Sequence, residues 1–194
     1  MKLFFVKSIE PFISKLPAAA EVGAGMRYTL RDAKIGNSLY TTGINTCSGF
    51  GLRAGEQNLL GHIKPEDFNP RNFAGAFERL VFQNKYGEVR ALVFGGRESS
   101  FIDPNCRRAS NEVSATMCDV LSTKCNIPDE NFASIMGKFT NIKTNDNMAV
   151  IGDKVYLANK EFEKAGLLSA PKDKIESLAE DIYEDVFIPK SFLV

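Results

Sequence analysis

Two side chains in this sequence could do nucleophilic chemistry together. Cys47 closes the run Thr41-Thr42-Gly43-Ile44-Asn45-Thr46-Cys47, and His62, the only histidine, stands in Leu59-Leu60-Gly61-His62-Ile63-Lys64-Pro65. A thiol and an imidazole are the smallest kit for acyl transfer at neutral pH. The ring helps draw the proton from sulfur and later protonates the leaving group. With one histidine in the chain, any Cys/His chemistry must run through His62. The ordinary alternatives are a cysteine that is a small buried hydrophobe and a histidine that is a hydrogen-bonded, half-buried group.

Such a pair needs a third group to hold the ring and donors to receive an oxyanion. Thr41 is the candidate for the first, through its hydroxyl or its backbone carbonyl; otherwise it is a plain strand threonine. Asn45, Thr46, Gly95 and Gly96 are the oxyanion and substrate-binding candidates. The glycine pair also reads as a simple turn.

The elements that must position these residues follow from local patterns. Tyr40 to Ile44 predicts a short strand leading towards Cys47, with Gly49 and Gly51 as backbone that can turn sharply. Leu59 to Lys64 predicts a second strand, carrying His62 and ended by Pro65. Asn69-Pro70 is a helix start, Asn as cap and Pro at the first helical position. Phe73, Phe77, Leu80 and Val81 then form an apolar stripe, closed by Gly87. Glu88 to Gly96 predicts a strand. Ser110 caps the next helix, whose buried face is Val113, Met117, Val120 and Leu121, running to Cys125 and the turn Asn126-Ile127-Pro128. Met148 to Ile151, the turn Gly152-Asp153 and Lys154 to Ala158 predict a hairpin. Without a regular βαβ repeat the fold class is α+β, with mixed or antiparallel sheet.

Near the end, Ile175, Leu178, Ala179, Ile182 and Val186 recur at helical spacing, with Glu176, Glu180, Asp181, Glu184 and Asp185 on the other face. The pattern predicts a terminal helix docked on the core with a solvated acidic face, or a partner-binding helix. The tail from Phe187 to Val194 is apolar for a chain end, which favours contact with something.

At 194 residues the length suits a single domain, 1–194. Lys plus Arg equals Asp plus Glu, 24 each. That balance argues against a nucleic-acid partner, which normally calls for a basic excess. The four cysteines, Cys47, Cys106, Cys118 and Cys125, include no Cys-x-x-Cys, and one histidine is available, so neither a zinc site nor another metal is expected. No cofactor is expected either. Cys118 and Cys125, seven residues apart on one predicted helix, would lie roughly 10 Å apart, too far for a disulfide. Reduced thiols suit a cytoplasmic setting. Lys7 and Glu10 interrupt the apolar start before a signal-peptide core forms, and no stretch approaches the ~20 apolar residues of a membrane helix.

The order and spacing of these features resemble the chemotaxis glutamine deamidases of the CheD type, whose active-site design is similar to that of deamidating toxins such as cytotoxic necrotizing factor. That family's nucleophile ends a Thr-x-x-Leu-Gly-Ser-Cys type run, in which Thr41 keeps the Thr place six before Cys47; the toxins place their histidine fifteen residues after the cysteine, as His62 stands here, and the chemotaxis enzymes have a slightly longer gap. The family's Leu-Pro after the histidine resembles His62-Ile63-Lys64-Pro65. Its strand ending Ile-Phe-Gly-Gly resembles Val93-Phe94-Gly95-Gly96. Its helix from an Asn to Gly-Ile-Pro resembles Asn111 through Asn126-Ile127-Pro128. The resemblance covers about residues 38–158, leaving 1–37 as a lead-in and 159–194 as a helical extension. Asn45-Thr46 replaces the family's Gly-Ser. The resemblance implies a β-sandwich-like core with helices on one side. It implies a protein-glutamine deamidase with Cys47 and His62 as the catalytic pair, working without cofactor on a protein that presents an accessible glutamine. That protein would be a chemoreceptor or, for a delivered effector, a host protein. Competing expectations are another Cys/His acyl-transfer enzyme (peptidase, transglutaminase-like or small-molecule amidase) and a non-catalytic binding module on the same fold.

Overall fold

In the computed structural model, two mixed β-sheets lie face to face. The residues described are 1–16, 19–23, 34–44, 47–83, 88–95, 110–136, 146–159, 161–164, 166–168, 171–174, 186–188 and 190–193. In chain order the elements are β1 (Lys2–Val6), α1 (Glu10–Ile13), β2 (Ala20–Glu21), β3 (Lys34–Gly36), β4 (Ser38–Ile44), β5 (Ser48–Ala54), β6 (Gln57–Ile63), α2 (Pro70–Gln83), β7 (Val89–Gly95), α3 (Ser110–Asp119), β8 (Phe132–Met136), β9 (Asp146–Ile151), β10 (Lys154–Ala158), α4 (Glu161–Lys164) and β11 (Val186–Phe187). The first sheet runs β1-β10-β9-β4-β2 and the second β11-β8-β7-β5-β6-β3. Both mix parallel and antiparallel pairs: β1 with β10, β2 with β4 and β7 with β8 are parallel.

Strand alternation sorts the side chains into layers. Leu39, Met148, Val150, Val155 and Leu157 of the first sheet meet Leu60, Leu92, Phe94, Ala133 and Ile135 of the second, which makes the central core. The other face of the second sheet presents Phe50, Leu52, Leu59, Ile63 and Val93 to Phe73 and Phe77 of α2 and Val113 and Met117 of α3. The predicted stripes on α2 and α3 are thus the sides laid on this sheet. The Asn69 carboxamide oxygen caps α2, accepting from the amides of Arg71 and Asn72 at 3.0 and 3.3 Å. After α3 the chain makes one π-type turn, Val120–Lys124, and Asn126 takes a left-handed φ of 50° that ends the helix. Leu80 and Val81 lie in α2, but the placement of their side chains is outside the described structure, as is Gly87.

Three features differ from the sequence expectations. Gly49 and Gly51 are not a turn; they lie inside β5, paired with Phe94 and Leu92 on one side and His62 and Leu60 on the other. Glycine is a poor strand former, but a Cβ at Gly49 would stand 2.2 Å from the Phe94 ring and 2.9 Å from Ile44, and one at Gly51 would stand 2.7 Å from Met148. The two sheets close up because those side chains are missing. Helices cover more than one side: α1 lies on the outer face of the first sheet, where Ile9 and Ile13 cover Tyr40, Ala149 and Tyr156. The lead-in and extension are woven into the sheets, β1 beside β10 and β11 beside β8. The apolar tail docks on its own chain: Phe192 is fully buried and Leu193 bridges to Leu3. The predicted helix over residues 175–186 falls largely outside the described residues, its acidic face included. The hairpin has the predicted turn, with Ile151 opposite Lys154 and Gly152 at φ 58°.

Candidate active site

His62 sits on β6 opposite Gly49 of β5, and it points into the gap between the sheets with Leu60 and Leu92. It is 6 % exposed. The absent side chain at Gly49, its partner across the strands, leaves room for the Phe94 ring and Ile44. From the first sheet, Thr41 of β4 reaches the imidazole: Thr41 Oγ1 is 2.9 Å from His62 Nδ1, and both are buried. Immediately after Thr41 the pairing of β4 with β9 shifts register, between Thr41 and Ile44. Gly43 takes a φ of 72° there, and its amide donates to the Asn147 side chain at 2.9 Å. Such a bulge bends a strand and re-aims its neighbours.

The hydrogen bonds fix the state of the ring. Thr41 Oγ1 is 2.7 Å from the carbonyl oxygen of Val22, which can only accept, so the single hydroxyl proton of Thr41 goes there. Towards His62 the hydroxyl must therefore accept, which requires a proton on Nδ1. In the neutral ring Nε2 then carries the lone pair. Nε2 is buried and has no hydrogen-bond partner among the described residues. Burial, helped by the positive charge of Lys64, lowers the His62 pKa from 6.5 to about 4. At neutral pH the ring is an uncharged base, held at one nitrogen and open at the other.

Cys47 is the residue directly before β5, two positions from Gly49, the partner of His62. It is half-buried and packs against the central core, so its side chain shares the face on which His62 lies. Diagonal positions on one face of an antiparallel pair are within side-chain reach. The backbone under Cys47 is tightly constrained. Gly95 pairs with Ser48, has φ 91°, and a Cβ there would stand 2.9 Å from the carbonyl oxygen of Cys47. From the helix side, Ser114 of α3 places its hydroxyl 2.7 Å from that of Ser48 and 3.3 Å from the Gly95 carbonyl oxygen. Gly95 thus packs closely on the backbone of Cys47 and Ser48.

The structure brings Thr41, His62, Cys47 and Gly95 to one end of the inter-sheet gap. Asn45, Thr46 and Gly96 lie outside the described residues. Three contributors carry no sequence signal. Val22 acts through a main-chain carbonyl, Lys64 through its charge, and Ser114 through a hydroxyl on a helix face otherwise marked as core. The thiols of Cys118 and Cys125 lie on the helix side of the second sheet. Burial raises both: Cys118 despite its 3.4 Å contact with Ser134, and Cys125 to about 11, with Glu78 adding to the effect.

Among the described residues no cluster of His, Cys, Asp and Glu could hold a metal ion, and no helix is long and apolar enough to cross a membrane. Compared with known proteins, the chain matches no family model and no curated sequence.

Proposed function

We propose that this chain is a cysteine-dependent protein-glutamine deamidase, a hydrolase of the CheD-like kind in which Cys47 and His62 are the catalytic pair. The observation that carries the proposal is the buried lone pair of His62 Nε2. A buried ring nitrogen with no described partner costs stability, and its uncommitted lone pair is what a general base must offer.

In this reaction Nε2 takes the thiol proton as Cys47 sulfur attacks the carbon of a side-chain carboxamide. A neutral ring favours proton transfer during attack over a standing thiolate–imidazolium pair. The protonated Nε2 then donates to the departing ammonia, leaving a thioester on Cys47. Water, deprotonated by Nε2, attacks that thioester, and glutamate and the thiol are released. Throughout, Nδ1–H stays bonded to Thr41, which keeps Nε2 aimed at the reacting atoms. Backbone amides at Cys47 and its neighbours, with Asn45 and Thr46, are the oxyanion donors in this scheme. The substrate would be a protein with an accessible glutamine, met in the cytoplasm of the producing bacterium or in a host cell. Support for the amide over other acyl substrates comes from the sequence spacing: the Thr-to-Cys run and the fifteen-residue step to His62.

The test compares proteomes of cells expressing wild type and Cys47→Ser by mass spectrometry. The expected result is a set of glutamines converted to glutamate, each gaining about one mass unit with the chain intact, in wild type alone. Identical sets in both would overturn deamidation by this chain. Peptide cleavage or cross-links confined to wild type would assign Cys47 and His62 to peptidase or transglutaminase chemistry instead. A binding module would show neither, and iodoacetamide would then label Cys47 no faster than Cys118.

A further inference from the structure

The opposite end of the inter-sheet gap holds an arrangement of another kind. Arg53 of β5 stands directly opposite Arg90 of β7, and the alternation that sends Gly49, Gly51, Leu92 and Phe94 inward sends both arginines to that same face. Like charges directly opposed on neighbouring strands are unfavourable. The two guanidinium groups line one cavity of 460 Å³, together with Lys2, Glu88, Asp153 and Ser191. Three side-chain cations thus face two carboxylates, and the Met1 α-amino group stands among them, its pKa lowered to about 6 by burial and by Arg90. One carboxylate, Glu88, meets Arg90 Nη2 at 3.0 Å from a half-exposed position. Arg90 Nε is buried with no partner among the described residues. Arg53 is held by Nη1, which donates to the Asn58 side chain at 3.2 Å and to the Gly152 carbonyl, so its fork is fixed in place on the β9–β10 turn.

We propose that this cavity is a binding site for the phosphate or carboxylate group of a small anionic ligand, held between Arg53 and Arg90. Planar guanidinium forks match the oxygens of both groups, and two forks converging from adjacent strands are suited to clasp one anion. A bound oxyanion gives the buried Arg90 Nε an acceptor and adds to the partial offset of the arginine repulsion that Glu88 supplies from its half-exposed position. The site lies four residues along β5 from Gly49, roughly 13 Å from the His62 end, and it stands independently of the deamidase proposal.

Isothermal titration of the full chain with inorganic phosphate, and separately with succinate, at constant ionic strength tests it. Saturable one-to-one binding of millimolar strength or tighter is expected for at least one, and the anion that saturates identifies the class. Arg90→Gln should weaken that binding about tenfold or more, while Glu88→Gln, which removes a competing carboxylate, should tighten it several-fold. Arg90→Gln should also keep or raise the melting temperature without ligand, because the like-charge contact it removes outweighs the exposed pair with Glu88 that goes with it. Neither anion saturating, or affinity unmoved in Arg90→Gln, would overturn the site. Should Arg90→Gln fail to fold, wild type and Glu88→Gln decide: no tightening in Glu88→Gln counts against it.

Discussion

At the scale of single residues, the consequential fact is that Thr41 has one proton and two neighbours. Giving it to Val22 obliges His62 to protonate at Nδ1. Thr41→Ser keeps that relay and should leave the alkylation rate of Cys47 within a few-fold of wild type. Thr41→Val removes both bonds. It should cost about 1–3 kcal/mol of stability, from a buried N–H and carbonyl left unpaired, and slow alkylation about tenfold. The imidazole nitrogen signals in NMR should show the Nδ1–H tautomer in wild type and Thr41→Ser and lose it in Thr41→Val. The depressed His62 pKa has a thermodynamic counterpart. Between pH 6.5 and about 4 the unfolded chain protonates this ring while the folded chain keeps it neutral. Stability therefore falls as pH drops through that window and levels off below it, by roughly 3 kcal/mol at most. Urea midpoints followed by circular dichroism from pH 7 to 4 should show a shallower decline in His62→Gln than in wild type. Parallel declines would mean that the ring is not held neutral by burial.

At the scale of elements, β5 positions the proposed site, and it is the strand the sequence hides. Its inward positions beside the site are Gly49 and Gly51, which read locally as turn residues because glycine has no preference for extended backbone. Their reason is on other strands. Gly49→Ala drives a methyl into the Phe94 ring and Ile44, both packed within the core, and should cost about 3 kcal/mol. Gly51→Ala meets the terminal methyl of Met148, which can swing aside, and should cost about 1 kcal/mol or less. Equal losses in denaturant titration would refute the account of why the sheets approach here. By contrast α2, α3 and the β9–β10 hairpin were legible, since an Asn-Pro start, a three-and-four-residue apolar stripe and a Gly-Asp turn each act within a few residues of chain.

At the scale of the whole molecule, the ends of the chain close the sandwich. β1 extends the first sheet, β11 extends the second, and the turn at Lys190–Phe192 seats Phe192 in the central core. Phe192→Ala should therefore behave as a core deletion, with a loss of about 3–5 kcal/mol. The chain has no tryptophan, so far-UV circular dichroism is the suitable probe. A loss under about 1 kcal/mol would show that the tail is an ornament and not part of the core. The two ends of the inter-sheet gap also differ in kind: one holds a buried neutral ring, the other a pair of opposed arginines. The balanced overall charge conceals this, because net charge reports a sum and not where charges lie.

The sequence by itself determined the reagents and the locally encoded elements: one imidazole, a thiol fifteen residues before it, the strand that carries His62, the strand that leads towards Cys47 and the helices that back them. Tertiary structure decided what state those reagents are in. The Val22 carbonyl that sets the tautomer is nineteen residues from Thr41, and Thr41 is twenty-one from His62. The burial that keeps the ring neutral comes from two sheets closing over glycines. Proton position and desolvation depend on groups that meet only when distant strands pack, so no local pattern of residue types could specify them.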